Sequence, residues 1–424
     1  MPDVLTSEFW IKNTANVDEQ LLSAEQISEM NERSFATATS LADLRAFPAV
    51  LSASELTSLI RRISRIPTET HYYRNGVALQ GDDYARYEAG LNLPCIAETN
   101  PVRFGLIVRR TSMRRFPTDD IVSKTTAPQD FDRFQENGLF PTDRIAVLHR
   151  SKDGNWLLAQ SYNYLGWVHA NAVATGERDR VLESPESTDF LLVTGAKIHT
   201  ASNPECPQTS GIQLDMSIRL PRWNEVSAVS ASARSDNHVV ELPVRDVHGE
   251  LQFAPALIPK DADVHSGFLS YTRSHVIRQA FCFLGEVYGW GHSRNSRDCS
   301  GFVAEIYRTF GIYLPRNSDD QGASPIGENL RFTDDSTSDQ KRAALQSLQA
   351  GDLVYTPGHV MLYLGAINGE PYVIHDASAL NYMTGTGSFV RNAPGGVSVS
   401  PFLQLHSDES LSHLQAMTGI KRIR

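Results

Sequence analysis

The sequence predicts a multidomain α+β chain, and three observations carry that reading. The first is length: 424 residues exceed what one ordinary core encloses, so two to four domains are expected. The second is a change of period. Helical spacing dominates residues 1–100, and short strands broken by turns dominate residues 101–272. The third is a switch within residues 273–424, where helix-period runs around Cys299 give way to paired strand runs. Hydrophobic residues are 41% and charged residues 21%, as in soluble globular proteins, so a disordered or fibrous chain is excluded. The net charge of −10 offers no basic face, and no nucleic-acid partner is expected. Arg109-Arg110 and Arg114-Arg115 read as strand ends or ion-pair partners.

Residues 1–100 are read as mostly helical. Leu21, Leu22, Ile27 and Met30 form one apolar face. Ser52-Ala-Ser-Glu55 has capping-box spacing and opens a helix with Leu56, Leu59 and Ile60 on its apolar side. Pro67 and Pro94 mark breaks. From Arg103 the chain turns to β character: Arg103–Val108, Arg144–His149, a turn at Lys152-Asp-Gly-Asn155, then Trp156–Gln160 and Gly166–Val168. Such short strands at close spacing suggest a small barrel over 101–180, with Trp156 and Trp167 in its core. Phe190–Val193, Val226–Val229 and Val239–Leu242 suggest a second over 181–272. Thr200–Gly211 reads as an exposed insertion, and Pro259–Ser266 as a linker. Residues 323–345 read as a polar excursion.

Within 273–424, Ile277, Phe281, Leu284 and Tyr288 fall on one helical face, and Phe302, Ile306 and Phe310 on another that Gly311 closes. Asp298 can cap the second helix, which puts Cys299 at its N-terminus. There the unpaired N–H groups and the helix dipole favour a thiolate and are expected to lower the thiol pKa. A nucleophilic cysteine needs a base, and the base needs an orienting group. His359 opens one strand run and His375 closes another, on either side of Asn368-Gly369, which reads as a hairpin turn. A two-residue turn would place the two histidines on opposite faces, so their cooperation requires an odd loop or a bulge. Taken singly, Cys299 is a small helix-start residue and each histidine a structural one; their ordered conjunction argues for chemistry. Cys95, Cys206, Cys282 and Cys299 form no CxxC pair, and no metal site is expected. Cys282 reads as a core residue, and Cys95 and Cys206 could pair in an oxidising compartment.

The series Asp298-Cys-Ser-Gly-Phe302, Leu314-Pro-Arg-Asn-Ser318, Gly351-Asp-Leu353, His359-Val360 and His375 resembles the NlpC-type cell-wall cysteine endopeptidases, papain-like enzymes that cut peptidoglycan stem peptides. The resemblance covers residues 273–424. The region before it is similar to the SH3-like modules and N-terminal segment of one branch of that family. It implies a helical accessory domain over 1–100, SH3-like barrels over 101–180 and 181–272, and a papain-like peptidase over 273–424. It implies Cys299 as nucleophile, His359 as general base, His375 as the group orienting His359, and Tyr288 as an aid to the oxyanion site. Asp298, Ser300 and Ser318 match positions that contact substrate, and Tyr164 matches a residue of the first module that lines the cleft. Asn317 departs from the pattern by standing where the family has an acid.

The implied reaction is hydrolysis of the γ-D-glutamyl–diamino acid bond, with preference for a free N-terminal L-alanine. No cofactor is implied. The expected partners are stem peptides or muropeptides, and a monomer without an integral membrane segment is expected. The residues Met1–Glu8 show no basic region followed by an apolar run. The chain is thus expected in the cell envelope if a signal peptide has been removed, or otherwise in the cytoplasm. Two rival readings are a catalytically silent wall-binding protein and a papain-like amidase or acyltransferase. The intact Cys299, His359 and His375 argue against the first. The polar Asp298, Ser300, Asn317 and Ser318 argue against an apolar substrate in the second.

Overall fold

Residues 3–67, 72–127, 131–183, 189–223 and 230–424 are described in the computed structural model. They form two compact units: one of residues up to Leu41 with 268–289 and 294–424, the other of residues 42–267 with 290–293. The helical residues 1–100 are thus shared between the two. Among the described residues, no helix is long and apolar enough to cross a membrane.

The unit of residues 42–267 is built on a seven-stranded sheet. Its strands run in the order Val173–Gly176, Arg103–Ile107, Arg144–Arg150, Trp156–Gln160, Leu165–His169, Thr111–Arg114 and Gln135–Leu139. The turn at residues 152–155 joins two of them, as its Asp-Gly-Asn chemistry requires. Trp156 and Trp167 are buried in its core beside Leu56 and Ile60 of the helix Ala53–Ile63. Ser52 and Glu55 cap that helix reciprocally. Thr200–Gly211 is exposed along much of its length and is anchored by the buried Thr200, Asn203 and Thr209, the last two of which donate to the Pro255 carbonyl. Residues 259–266 are not a simple linker, because Val264–Ser266 pairs with Phe190–Val193. Val226–Val229 lies outside the described residues.

The other unit carries a six-stranded sheet of Glu328–Arg331 (β1), Leu353–Thr356 (β2), His359–Ile367 (β3), Glu370–Met383 (β4), Phe389–Pro401 (β5) and Gly419–Arg422 (β6). Its order is β1-β6-β2-β3-β4-β5. The helices Arg273–Phe281 (α1) and Cys299–Arg308 (α2) belong to this unit, with Ser318–Ala323 (α3) and Ser338–Gln346 (α4). Met361, Tyr363, Val373 and Ile420 pack in one core cluster with Leu345 of α4. Phe302, Val303, Ile306 and Tyr307 of α2 are wholly buried, which accounts for their spacing.

The sequence overextended α1. It stops at Phe281, Cys282 caps it and is exposed rather than core, and the chain reverses over residues 282–285. Tyr288 therefore leaves the helix and instead bridges Arg297. Residues 323–345 form a polar stretch that carries regular structure. They contain β1 and most of α4, and the buried Lys421 ties them down by donating to Ser324 O, Ile326 O and Asn329 Oδ1. Cys95 and Cys206 form no disulfide with each other.

Behind the cysteine helix, Arg297 has no exposed side-chain surface. It bonds Glu286 at 3.0 Å and Glu305 at 2.9 Å, and stacks 4.6 Å over Phe283. Removing one member of a buried ion cluster strands the others without water. Arg297→Met should therefore destabilise the chain by about 3–5 kcal/mol, and adding Glu305→Gln should recover part of that. Urea unfolding of the single and double variants measures both, and a loss below 1 kcal/mol would contradict it.

Candidate active site

Cys299 is the first residue of α2, and Asp298 caps it by accepting the Gly301 N–H at 3.0 Å. The thiol is buried. Its Sγ lies 4.0 Å from the Gly358 carbonyl, and the Val360 N–H is directed at it. The sulfur thus rests against the backbone on both sides of His359. The expected fall in thiol pKa is overturned. Burial, reinforced by the Asp298 carboxylate, pushes the thiol up to about 12, and the Val360 N–H only partly opposes this. Desolvation of a charged sulfur outweighs the helix terminus here.

His359 opens β3 as expected. His375 does not close its strand, because β4 runs on to Met383 in partnership with β5. The turn between β3 and β4 is the two-residue one: Asn368 and Gly369 both have positive φ, 52° and 84°, and Ile367 pairs with Glu370. The parity is then corrected by a bulge between Tyr363 and Gly365, which leaves Leu364 as the extra residue. His359 and His375 consequently share a face, with His359 Nε2 lying 2.8 Å from His375 Nδ1. His375 Nε2 lies 3.2 Å from Ser400 Oγ on β5. Burial, with His413 nearby, depresses His359 to about 3, and burial beside His359 holds His375 well below its usual value. Both rings are neutral at pH 7.

The substrate-side candidates form a second cluster. Arg316, in the Leu-Pro-Arg motif, donates to Asp298 Oδ2 at 2.6 Å, to Asp298 Oδ1 at 3.1 Å and to Ser300 Oγ at 2.9 Å. Ser300 in turn donates to Asp298 Oδ1 at 3.2 Å. The Asp298 carboxylate is therefore neutralised within the protein. Gln321 pins the same loop by donating to Ser300 O and Pro315 O. Ser318 is buried at the start of α3. Asn317 is exposed, and its amide donates to Asp320. The neighbouring Asp319 accepts the Gly358 N–H at 3.3 Å, tying α3 to the turn before His359.

Tyr288 is half-buried. Burial and the charges of Asp298, Cys299 and Asp376 raise its hydroxyl pKa, so it lies among those groups. Tyr164 belongs to the other unit, where its hydroxyl donates to Glu136.

Arg316, Ser400 and Asp376 were not chosen from the sequence. Arg316 carried a signal, since it sits inside the motif. Ser400 and Asp376 carried none. Asp376 is fully buried, and neither carboxylate oxygen has a hydrogen-bond partner.

Residues 285–410 match the NlpC/P60 family, and residues 123–169 match the SH3 domain of SH3b1 type. The chain therefore carries a domain of a cell-wall cysteine-peptidase family together with an SH3b domain. It is 31% identical to dipeptidyl-peptidase 6 of Lysinibacillus sphaericus over 94 residues, 22% of this chain and 30% of that one. The match thus spans less than a third of that relative. Its structure is similar to an NlpC/P60 endopeptidase from Photobacterium damselae subsp. piscicida, with a TM-score of 0.77 at 19% identity over 96% of this chain and 94% of that one. It is also similar to an NlpC/P60 family protein from Bacillus cereus, with a TM-score of 0.51 at 18% identity over 76% and 99% of the two chains. The α+β architecture with a papain-like peptidase domain and an SH3b domain holds.

Asp376 yields a test of the site's electrostatics. Burial, with Asp298 and Glu286 nearby, pushes its carboxyl up to about 9. The unfolded value is roughly 3.9. Between these values the native chain keeps a proton that the unfolded chain has lost, so stability falls as pH rises through that window. Asn mimics the neutral acid and does not titrate. Asp376→Asn should raise Tm by several degrees at pH 8 and change it little near pH 4. Thermal unfolding at both pH values checks this, and an unchanged Tm at pH 8 would refute it.

Proposed function

We propose that the NlpC/P60 domain of this chain is a cysteine endopeptidase acting on the γ-D-glutamyl–diamino acid bond of peptidoglycan stem peptides in the cell envelope. The observation that supports it most is the 2.8 Å contact between His359 and His375, with Sγ of Cys299 held against the residues flanking His359. In this reading Cys299 attacks the carbonyl carbon while His359 takes the thiol proton at Nδ1, and a thioester forms. His359 then gives that proton to the leaving amine, and water resolves the thioester. The Cys299 N–H and the Tyr288 hydroxyl serve the oxyanion, at roughly 3–4 kcal/mol for a well-placed donor. The buried thiol and depressed imidazole favour a resting state of neutral thiol and neutral base. Proton transfer then accompanies attack rather than preceding it.

Preference for a free L-alanine amine is part of the proposal, with Asp298, Ser300, Asn317 and Ser318 on the binding side. Asp298 already shares its charge with Arg316, and Asn317 offers no charge. Shape should therefore contribute more than an ion pair to that preference. The deciding experiment is mass spectrometry of products from L-Ala-γ-D-Glu-diaminopimelate, its N-acetylated form and intact peptidoglycan. Release of L-Ala-γ-D-Glu supports the reading. Equal rates on all three substrates would remove the amine preference.

Two outcomes follow for variants and reactivity. Cys299→Ala should abolish turnover with the fold intact, and His359→Ala should cost more than His375→Ala, since losing a base exceeds losing its orienter. Steady-state kinetics with circular dichroism checks both, and a reversed order would exchange the roles. The raised thiol pKa also predicts that iodoacetamide alkylation of Cys299 in the free protein climbs steadily from pH 6 to pH 10. A plateau already reached at pH 7 would show a preformed thiolate.

A further inference from the structure

The hydrogen-bonded chain behind His359 does not stop at His375. On β5, Ser398 pairs directly with His375 and Ser400 with Val373. Ser398 and Ser400 are two residues apart and share the face of His375. Only Ser400 reaches the ring, at 3.2 Å from Nε2, while the buried Ser398 hydroxyl has no hydrogen-bond partner. His375 is 1% exposed and Ser400 6%, so water has little room to replace either.

We infer that Ser400 is a positioning residue for the base: its hydroxyl oxygen accepts the Nε2 proton of His375, so that His375 turns a bare Nδ1 to His359. This deepens the peptidase reading and rests on it.

The argument is a count of protons. Two neutral imidazoles that meet Nε2 to Nδ1 share one proton in that contact. In one arrangement His375 holds it at Nδ1. The Nε2 of His359 is then bare, its own proton sits at Nδ1, and it cannot accept from a thiol. In the other arrangement His359 holds the shared proton at Nε2 and its Nδ1 is bare and basic. His375 must then carry its proton at Nε2, inside the protein, where it needs an acceptor. Ser400 Oγ is the side-chain oxygen at hydrogen-bond distance. When the Cys299 S–H bond breaks and an N–H bond forms at Nδ1 of His359, the resulting cation donates to His375, which donates to Ser400. The chain thus ends on a lone pair and not on an orphaned donor. Among the described residues, His413 also faces the pair, its ring 6.2 Å from that of His359, and burial keeps it neutral.

The test is kinetic and spectroscopic, on the full chain. Ser400→Ala should lower kcat about tenfold, equivalent to about 1.4 kcal/mol, with KM changed less than twofold. The acid limb of its kcat–pH profile should move to lower pH, because the imidazolium has lost an acceptor. Ser400→Thr should restore most of the rate, and Ser398→Ala should leave it unchanged. In 15N-histidine-labelled wild-type protein, His375 should show a single tautomer protonated at Nε2, and in Ser400→Ala a mixture. Unchanged kcat in Ser400→Ala, an equal loss in Ser398→Ala, or a wild-type His375 protonated at Nδ1 would each overturn the inference. Absence of any γ-D-glutamyl peptidase activity would defeat the underlying reading. The wild-type tautomer would still decide the role of Ser400, even if a variant failed to fold.

Discussion

The candidate site depends on one unpaired residue. A sheet alternates its side chains with period two, and the tight Asn368-Gly369 turn fixes the register of β3 against β4. With that turn alone, His359 and His375 would face opposite sides. The bulge at Leu364 shifts the register by one and brings the rings together at 2.8 Å. Everything downstream inherits this shift, including the place of Ser400 on the next strand. A bulge costs ladder hydrogen bonds and bends the strand, and here it lies well inside the hairpin, away from the turn.

The second constraint is burial. A helix N-terminus favours a thiolate, but its benefit is modest and confined to the first turn. Removing a thiolate from water costs more, and Asp298 adds repulsion beside it. The same exclusion of water depresses both histidines. Low dielectric therefore sets the proton inventory of the site: neutral sulfur, neutral rings and a protonated Asp376. The charges kept there are paired, Asp298 with Arg316 and Arg297 with two glutamates. Fixed ion pairs of this kind hold the loops around the sulfur in place.

Much of the fold was legible because it follows from local rules. Asp298 before a four-residue apolar repeat announced α2, Ser52 and Glu55 announced a capped helix, and Asn368-Gly369 announced a hairpin. Cys299, His359 and His375 were legible as an ordered series, and strand alternation requires a bulge or an odd loop for the two histidines to meet. The misses have a common cause. Periodicity carried α1 on to Tyr288, although the chain turns at residues 282–285. Polar composition marked 200–211 and 323–345 as surface stretches, but the side-chain bonds that anchor them, from Asn203 and Thr209 and from the distant Lys421, have no local signature. Ser400 and Asp376 have no local signature at all. Their surroundings are made by neighbouring strands distant in sequence and by helices earlier in the chain, and sequence spacing does not encode those contacts.

The place of β6 in the sheet has a consequence for how the protein comes into being. Gly419–Arg422 is inserted between β1 and β2, so the edge strand β1 cannot join the sheet until β6 is in place. Contacts between strands so far apart in sequence form late and slowly. Lys421, which fastens the loop before β1, arrives with the same strand. Docking of β6 is therefore a late step in folding, and until it occurs β2, whose turn into β3 lies against Cys299, lacks a partner along its other edge.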